Sequence, residues 1–410
     1  MGQTRKPLVF LLVATCTTLF FVLWYRSNTK STSPNSVTTE PPILEPSSPY
    51  LPTPSPTPPP TAIPLLPWQK IGNDIDGEAS GDNSGSSVSL SSDGKTVAIG
   101  AIRSGHVRIF QWTESTSAWT QMGADIDGEA SYHDYSGQSV SLSSDGKTVA
   151  IGAPYNEDGN GFDRGHVRIF QWTAESTSTW TQMGADIDGH VSYDHSGWSV
   201  SLSSDGKTVG VGAPNDDSSY RRGYVRIFQW TADESTSAWT QMGADIDGEA
   251  SYDESGRSVS LSSDGKTVAI GAPYNDGNGS HSGHVRIFQW TQSTSTWTQM
   301  GADIDKEAYG DESGSSVSLS LDGKTVAIGA PNFEGNAPLS GHVRIFQWTE
   351  STSAWTQVGV DIDGEASGDG SGWSVSLSSD GKTVAVGAIL NDGNGSSSGH
   401  VRIFQWNSYE

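Results

Sequence analysis

The segment GHVRIFQW begins at Gly105, Gly165, Gly283, Gly341 and Gly399, and a variant, GYVRIFQW, begins at Gly223. The tryptophans that close it (Trp112, Trp172, Trp230, Trp290, Trp348 and Trp406) recur every 58 or 60 residues. A period of this length marks one supersecondary unit copied in tandem, which must stack on its neighbours to bury its faces. Every copy holds four short runs, for example Ser258–Ser262 (SVSLS), Thr267–Ala272 (TVAIGA), His284–Trp290 (HVRIFQW) and Trp297–Ile304 (WTQMGADI). Rich in β-branched and aromatic residues and bounded by turn residues, they read as strands. The SSDGK between the first two runs (Ser91–Lys95) supplies the left-handed torsions of a tight hairpin. Tryptophans such as Trp112 and Trp119 flank the turn between the third and fourth runs and should face each other across it. No run has a helical period, so each unit is predicted to be a four-stranded antiparallel meander.

Radial stacking covers both faces of such a meander and leaves only short edges. The chain ends favour a ring over an open solenoid. Trp68 opens a fourth-type run (Trp68–Ile75) before any first-type run exists, and Trp406 closes a third-type run with no fourth after it. The predicted fold is all-β: a six-bladed β-propeller over 68–410, with the N- and C-terminal segments overlapping so that Trp68 meets Trp406.

The stretch SGxSVSLSxDGKTVAIGAP…GHVRIF resembles the FG-GAP repeat of integrin α chains and of many secreted and surface proteins. The resemblance covers about 340 residues and implies a propeller. Calcium-binding members of that family carry several Asp or Asn residues in the loop between the first two strands. Here the loop has one acid beside a lysine (Asp93, Lys95), a poor calcium ligand set, so no calcium site is carried over and no firm cofactor follows.

The chain has 47 acidic and 23 basic side chains and a formal charge of −24, which argues against a nucleic-acid partner. The only cysteine, Cys16, excludes an internal disulfide. Most acids fall in the connections from fourth strand to next first strand and from second to third strand, which share one face of a propeller. That acidic rim attracts cations or a basic partner, or simply keeps the repeat soluble. Within it Asp245, Asp247, Glu249 and Asp253 are weak metal candidates, the alternative being a pairing with strand arginines such as Arg286. The recurrent His106, His166, His284, His342 and His400, one per blade, read as isolated hydrogen-bonding residues rather than metal ligands.

The copies differ at the x of SGxSV, which is Ser86, Gln138, Trp198, Arg257, Ser315 and Trp373 in turn. These residues enter the first strand near the channel mouth, and Trp198, Trp373, Arg257 and Gln138 are the candidate ligand contacts, with inter-blade packing as the alternative for the tryptophans. Blade one also has only Ile102–Ser104 between its second strand and Gly105, which should open one side of the rim. No nucleophile motif, phosphate loop or single-copy metal cluster points to catalysis. The reading is a non-catalytic recognition or adhesion propeller for a glycan or protein ligand. Alternatives are a hydrolase or lyase with a channel-mouth site, and a structural surface protein without a specific ligand.

Residues 8–25 are uncharged and long enough to span a bilayer as a helix, and they end in Trp24-Tyr25-Arg26 rather than at a cleavage site. After a short tail (1–7), they read as a single-pass signal anchor. Residues 26–67, rich in Pro, Ser and Thr, read as a disordered stalk. Flanking charge is balanced and does not set the orientation. The stalk and the acceptor patterns at Asn278 and Asn394 favour a lumenal or extracellular carboxy-terminal domain.

Overall fold

The computed structural model describes residues 70–406, apart from 130–133, 158–161, 175–177, 216–220, 233–236, 278, 306–308, 334–336 and 394. The apolar run, the stalk, Trp68, Asn278 and Asn394 lie outside the described residues. Among the described residues no helix is long and apolar enough to cross a membrane.

Six antiparallel sheets follow one another along the chain and form the blades of an all-β propeller. In blade two the strands are Ser139–Leu142, Thr148–Ala153, His166–Thr173 and Thr179–Gln182, followed by a two-residue strand, Ile187–Asp188. This last piece pairs with the start of the third strand, so blades one to five have five strands rather than the expected four. The predicted single fourth run breaks at its glycine. Gly184 takes a positive φ of 75°, and a Cβ there would strike Trp230 of the next blade. The tryptophan pairs form as expected: Trp172 lies opposite Trp180 with ring centroids 5.4 Å apart.

The SVSL pattern follows from the way blades meet. Val140 and Leu142 point into the interface and are buried against Val107 and Ile109 of blade one. The alternate serines face the neighbouring backbone. Ser139 Oγ donates to the Gly197 carbonyl of the next blade (2.8 Å), and Ser141 Oγ accepts from Leu202 N–H (3.0 Å). The hairpin loops are also linked in series, from Ser92 N–H to the Ser144 carbonyl and onward to Leu321 N–H and the Ser379 carbonyl. First strands therefore pack side by side around the axis.

The overlap of the chain ends is absent among the described residues. The sixth sheet has three strands, Ser371–Leu377, Thr383–Ala388 and His400–Gln405. Residues 70–76 lie against blade one, where Trp119 Nε1–H donates to the Ile71 carbonyl (3.2 Å), but they form no strand. Val88 and Leu90 of blade one are 64% and 60% exposed, against 9% and 7% for Val140 and Leu142. Val401 and Ile403 of blade six are likewise 66% and 49% exposed. An apolar cleft of about 410 Å³ beside Phe404 and Trp406 lies where the other interfaces receive a fourth-strand tryptophan.

Candidate functional site

Backbone hydrogen bonds join the two acidic loop families into one face. Tyr155 N–H donates to the Asp134 carbonyl, Glu254 N–H to Arg221, and Glu312 N–H to His281. On this face three positions per blade converge at the channel mouth. One precedes SG and is Asn83, Tyr135, His195, Glu254, Glu312 and Gly370 in turn. All six have positive φ, between 50° and 64°, a conformation that disfavours side chains other than Gly and Asn. The second is the x of SGxSV. The third follows the second strand and includes Tyr155, Asn215, Tyr274 and Asn332.

These positions make an asymmetric cluster. The Arg257 guanidinium lies 4.4 Å from the Trp198 ring centroid and is anchored by Glu254 at 2.9 Å. His195 stacks near Trp198 at 6.2 Å, Tyr155 lies 4.6 Å from His195, and Tyr135 meets Tyr155 edge-on at 5.0 Å. Asn215 Nδ2 is 2.6 Å from His195 Nδ1. Burial holds His195 below the usual histidine range and pushes Glu312 and the Tyr155 and Tyr274 hydroxyls up.

The four predicted contact residues thus separate. Trp198 and Arg257 come together. Gln138 sits partly buried in the adjacent blade, its N–H bonded to the Tyr135 carbonyl. Trp373 stands in blade six, 55% exposed, with no ring partner among the described residues. Sequence reasoning missed the residue before SG and the one after the second strand. Aligning the copies shows both to vary as much as the x of SGxSV. The short loop of blade one does open the rim, leaving a cleft of about 590 Å³ lined by Asp82, Arg103, Asp127 and Glu129 among others.

The four weak metal candidates do not form one cluster. Asp253 accepts the N–H groups of Glu249 and Ala250, closing a turn. Asp247 gives its backbone carbonyl to Arg286 Nη2, and Glu249 lies 3.7 Å from Arg286 Nη1. Asp245 accepts from Gln241 (2.7 Å) and lies 3.0 Å from His190 Nε2. The same arginine strap recurs in every blade, for example Arg402 to the Asp363 carbonyl at 2.6 Å. The rim histidines, in contrast, are not isolated. His166 Nδ1 has Glu129 and Asp186 carboxylate oxygens at 4.0 and 3.8 Å, because the two-residue fifth strand returns Asp186 to the start of the third.

The FG-GAP repeat model matches residues 119–170, 245–288 and 360–404. No curated protein matches the sequence. Among solved structures, a protein of unknown function from Desulfotomaculum acetoxidans aligns with TM-score 0.50 and 13% identity, over 78% of this chain and 81% of that one. A protein from Bacteroides uniformis provisionally assigned as a 6-phosphogluconolactonase aligns with TM-score 0.50 and 15% identity, over 74% and 75%. At such identities the likeness shows the fold alone. The described residues form an all-β propeller, and three of its segments match the FG-GAP repeat model.

Proposed function

We propose that this propeller is a non-catalytic recognition module that binds a glycan at the mouth of its channel on the acid-rich face. One observation carries the reading: the positions at which near-identical blades diverge converge there, as an Arg257–Trp198 stack ringed by Tyr155, His195 and Glu254. Aromatic faces beside fixed charged and amide groups suit a ligand with apolar ring faces and many hydroxyls. Trp373, exposed in blade six, offers a second platform. In the same proposal, residues 8–25 anchor the molecule in a membrane and residues 26–67 hold the propeller off its outer or lumenal surface.

On a glycan array, the full chain is expected to capture a defined subset of sugars. Arg257→Ala should reduce capture at least tenfold and Trp373→Ala severalfold, with Tm within about 2 °C of the parent for Trp373→Ala, since an exposed side chain contributes little stability. Capture unchanged in both variants would refute the site. One observation favours a catalytic reading: burial moves Glu312 up, toward the range that acid–base chemistry uses. Turnover of chromogenic esters, lactones or glycosides that is lost in Glu312→Gln would establish that reading instead.

A further inference from the structure

Among the described residues, four related clusters recur along the rim, away from the channel mouth: Glu78–His106–Asp125, Glu129–His166–Asp186, Glu249–His284–Asp303 and His342–Asp361–Asp363. In each, three potential ligand atoms lie within 4.8 Å of one another. The histidine opens a third strand, and the aspartate is the first of the Asp-Ile-Asp that returns to pair with that strand. In the first three clusters the glutamate arrives from the preceding segment; Glu129 and Glu249 follow the last strand of the blade before, so their clusters span two blades.

The spacing is informative. The imidazole Nδ1 of His166, His284 and His342 lies 3.8 Å from an aspartate oxygen, too far for a hydrogen bond. Ligand atoms around a tetrahedral zinc ion, with bonds of about 2.0–2.2 Å, stand roughly 3.3–3.6 Å apart, so the histidine–aspartate pairs need only a small contraction to share an ion. His342 is 1% exposed and its Nδ1 has no hydrogen-bond partner. The other aspartate oxygen is already held. Gln357 Nε2 donates to Asp361 Oδ1 at 2.6 Å, and Gln182, Gln299 and Gln121 hold Asp186, Asp303 and Asp125 in the same way. Such an outer hydrogen bond orients a metal ligand and leaves its second oxygen, Oδ2, toward the histidine.

Blade three supplies an internal comparison. Tyr224 replaces the histidine there and donates to Asp194 at 2.6 Å, while His190 stands where two neighbouring copies have glutamate and brings its Nε2 to 3.0 Å from Asp245 Oδ2. Where the imidazole of the third strand is missing, the chain brings another imidazole, that of His190, to the aspartate.

We propose that these four clusters are binding sites for a divalent transition metal of the zinc class, each with one imidazole nitrogen and two carboxylate oxygens as ligands. Imidazole with carboxylates suits zinc or cobalt better than calcium, which takes oxygen ligands only. Two of the four, those with Glu129 and Glu249, would clamp adjacent blades together, and none depends on what binds at the channel mouth.

The test uses the full chain, freed of metal with a chelator and then dialysed against zinc or cobalt. Elemental analysis should find up to four bound ions per chain, and cobalt should give the visible absorption of tetrahedral coordination. His342→Gln should lose one ion. The double substitution His190→Glu with Tyr224→His should add one, a gain that a misfolded variant cannot imitate. Absence of cobalt bands, zinc no higher than in the dialysis buffer, or a stoichiometry unmoved by these substitutions would overturn the proposal.

Discussion

Gly152→Ala is expected to cost about 3 kcal/mol or more of stability, whereas Gly387→Ala, its counterpart in blade six, should cost clearly less. A Cβ at Gly152 would run into the Gly197 carbonyl of the next blade and into Ser139 Oγ. Backbone cannot yield as the end of a side chain can, so the whole interface must part, an overpacking penalty at the high end of its range. The same collision awaits at Gly100, Gly212, Gly271 and Gly329, which explains the glycine near the end of the second strand in blades one to five. Gly387 meets only its own blade's Ser374, because no neighbouring backbone covers it. Urea denaturation of the two variants checks this. Equal losses would mean that blade six packs on blade one in solution as closely as the other blades pack on each other.

Acidification should weaken the fold strongly between about pH 6.5 and pH 4 when metal is withheld. Burial holds His342 at about 4, with Arg344 beside it acting in the same direction, and His284 and His195 are lowered for the same main reason. The unfolded chain, with histidines near 6.5, takes up protons before the folded one does. These groups therefore contribute stability fully above the unfolded value, and it is lost as pH falls toward the folded value. For His342 alone the loss is roughly 2–3 kcal/mol. Burial raises Asp194, Glu129 and Glu312, which work the other way: their cost is present at neutral pH and fades as they protonate. Denaturant melts at pH 7.5, 6 and 5 in the presence of chelator should show the decline, flattened in His342→Gln. An unchanged slope in that variant would mean that burial does not lower the His342 imidazole in the folded chain.

The propeller was legible because its determinants are local and repeated: Asp-Gly hairpins, alternating Val and Leu against Ser, and tryptophans facing each other across a turn. The fifth strand was not, since the run Trp297–Ile304 shows no break in polarity. What divides it is the torsion of Gly301 (φ 75°) and the indole of Trp348 against it. The channel mouth was half legible. Trp198 and Arg257 stand out by composition, but their stacking depends on how adjacent blades meet. Glu254 and His195 look like ordinary loop residues until their left-handed torsions place them on the rim. The rim histidines were misread for a related reason. Counting one per blade hides the carboxylates that a neighbouring connection and a returning strand bring beside them.

The uncovered flanks of blades one and six have a consequence for assembly. Val401 and Ile403 present the same pattern that Val107 and Ile109 bury against Val140 and Leu142, and Val88 and Leu90 present its complement. An arc with matched, unlike flanks behaves as a self-adhesive strip. It can snap shut on itself or join tail to head with copies of itself, the kind of contact that propagates when it does not close. Its own opposite flank is tethered at an effective concentration in the millimolar range, so single molecules outcompete strings until the protein is packed that densely.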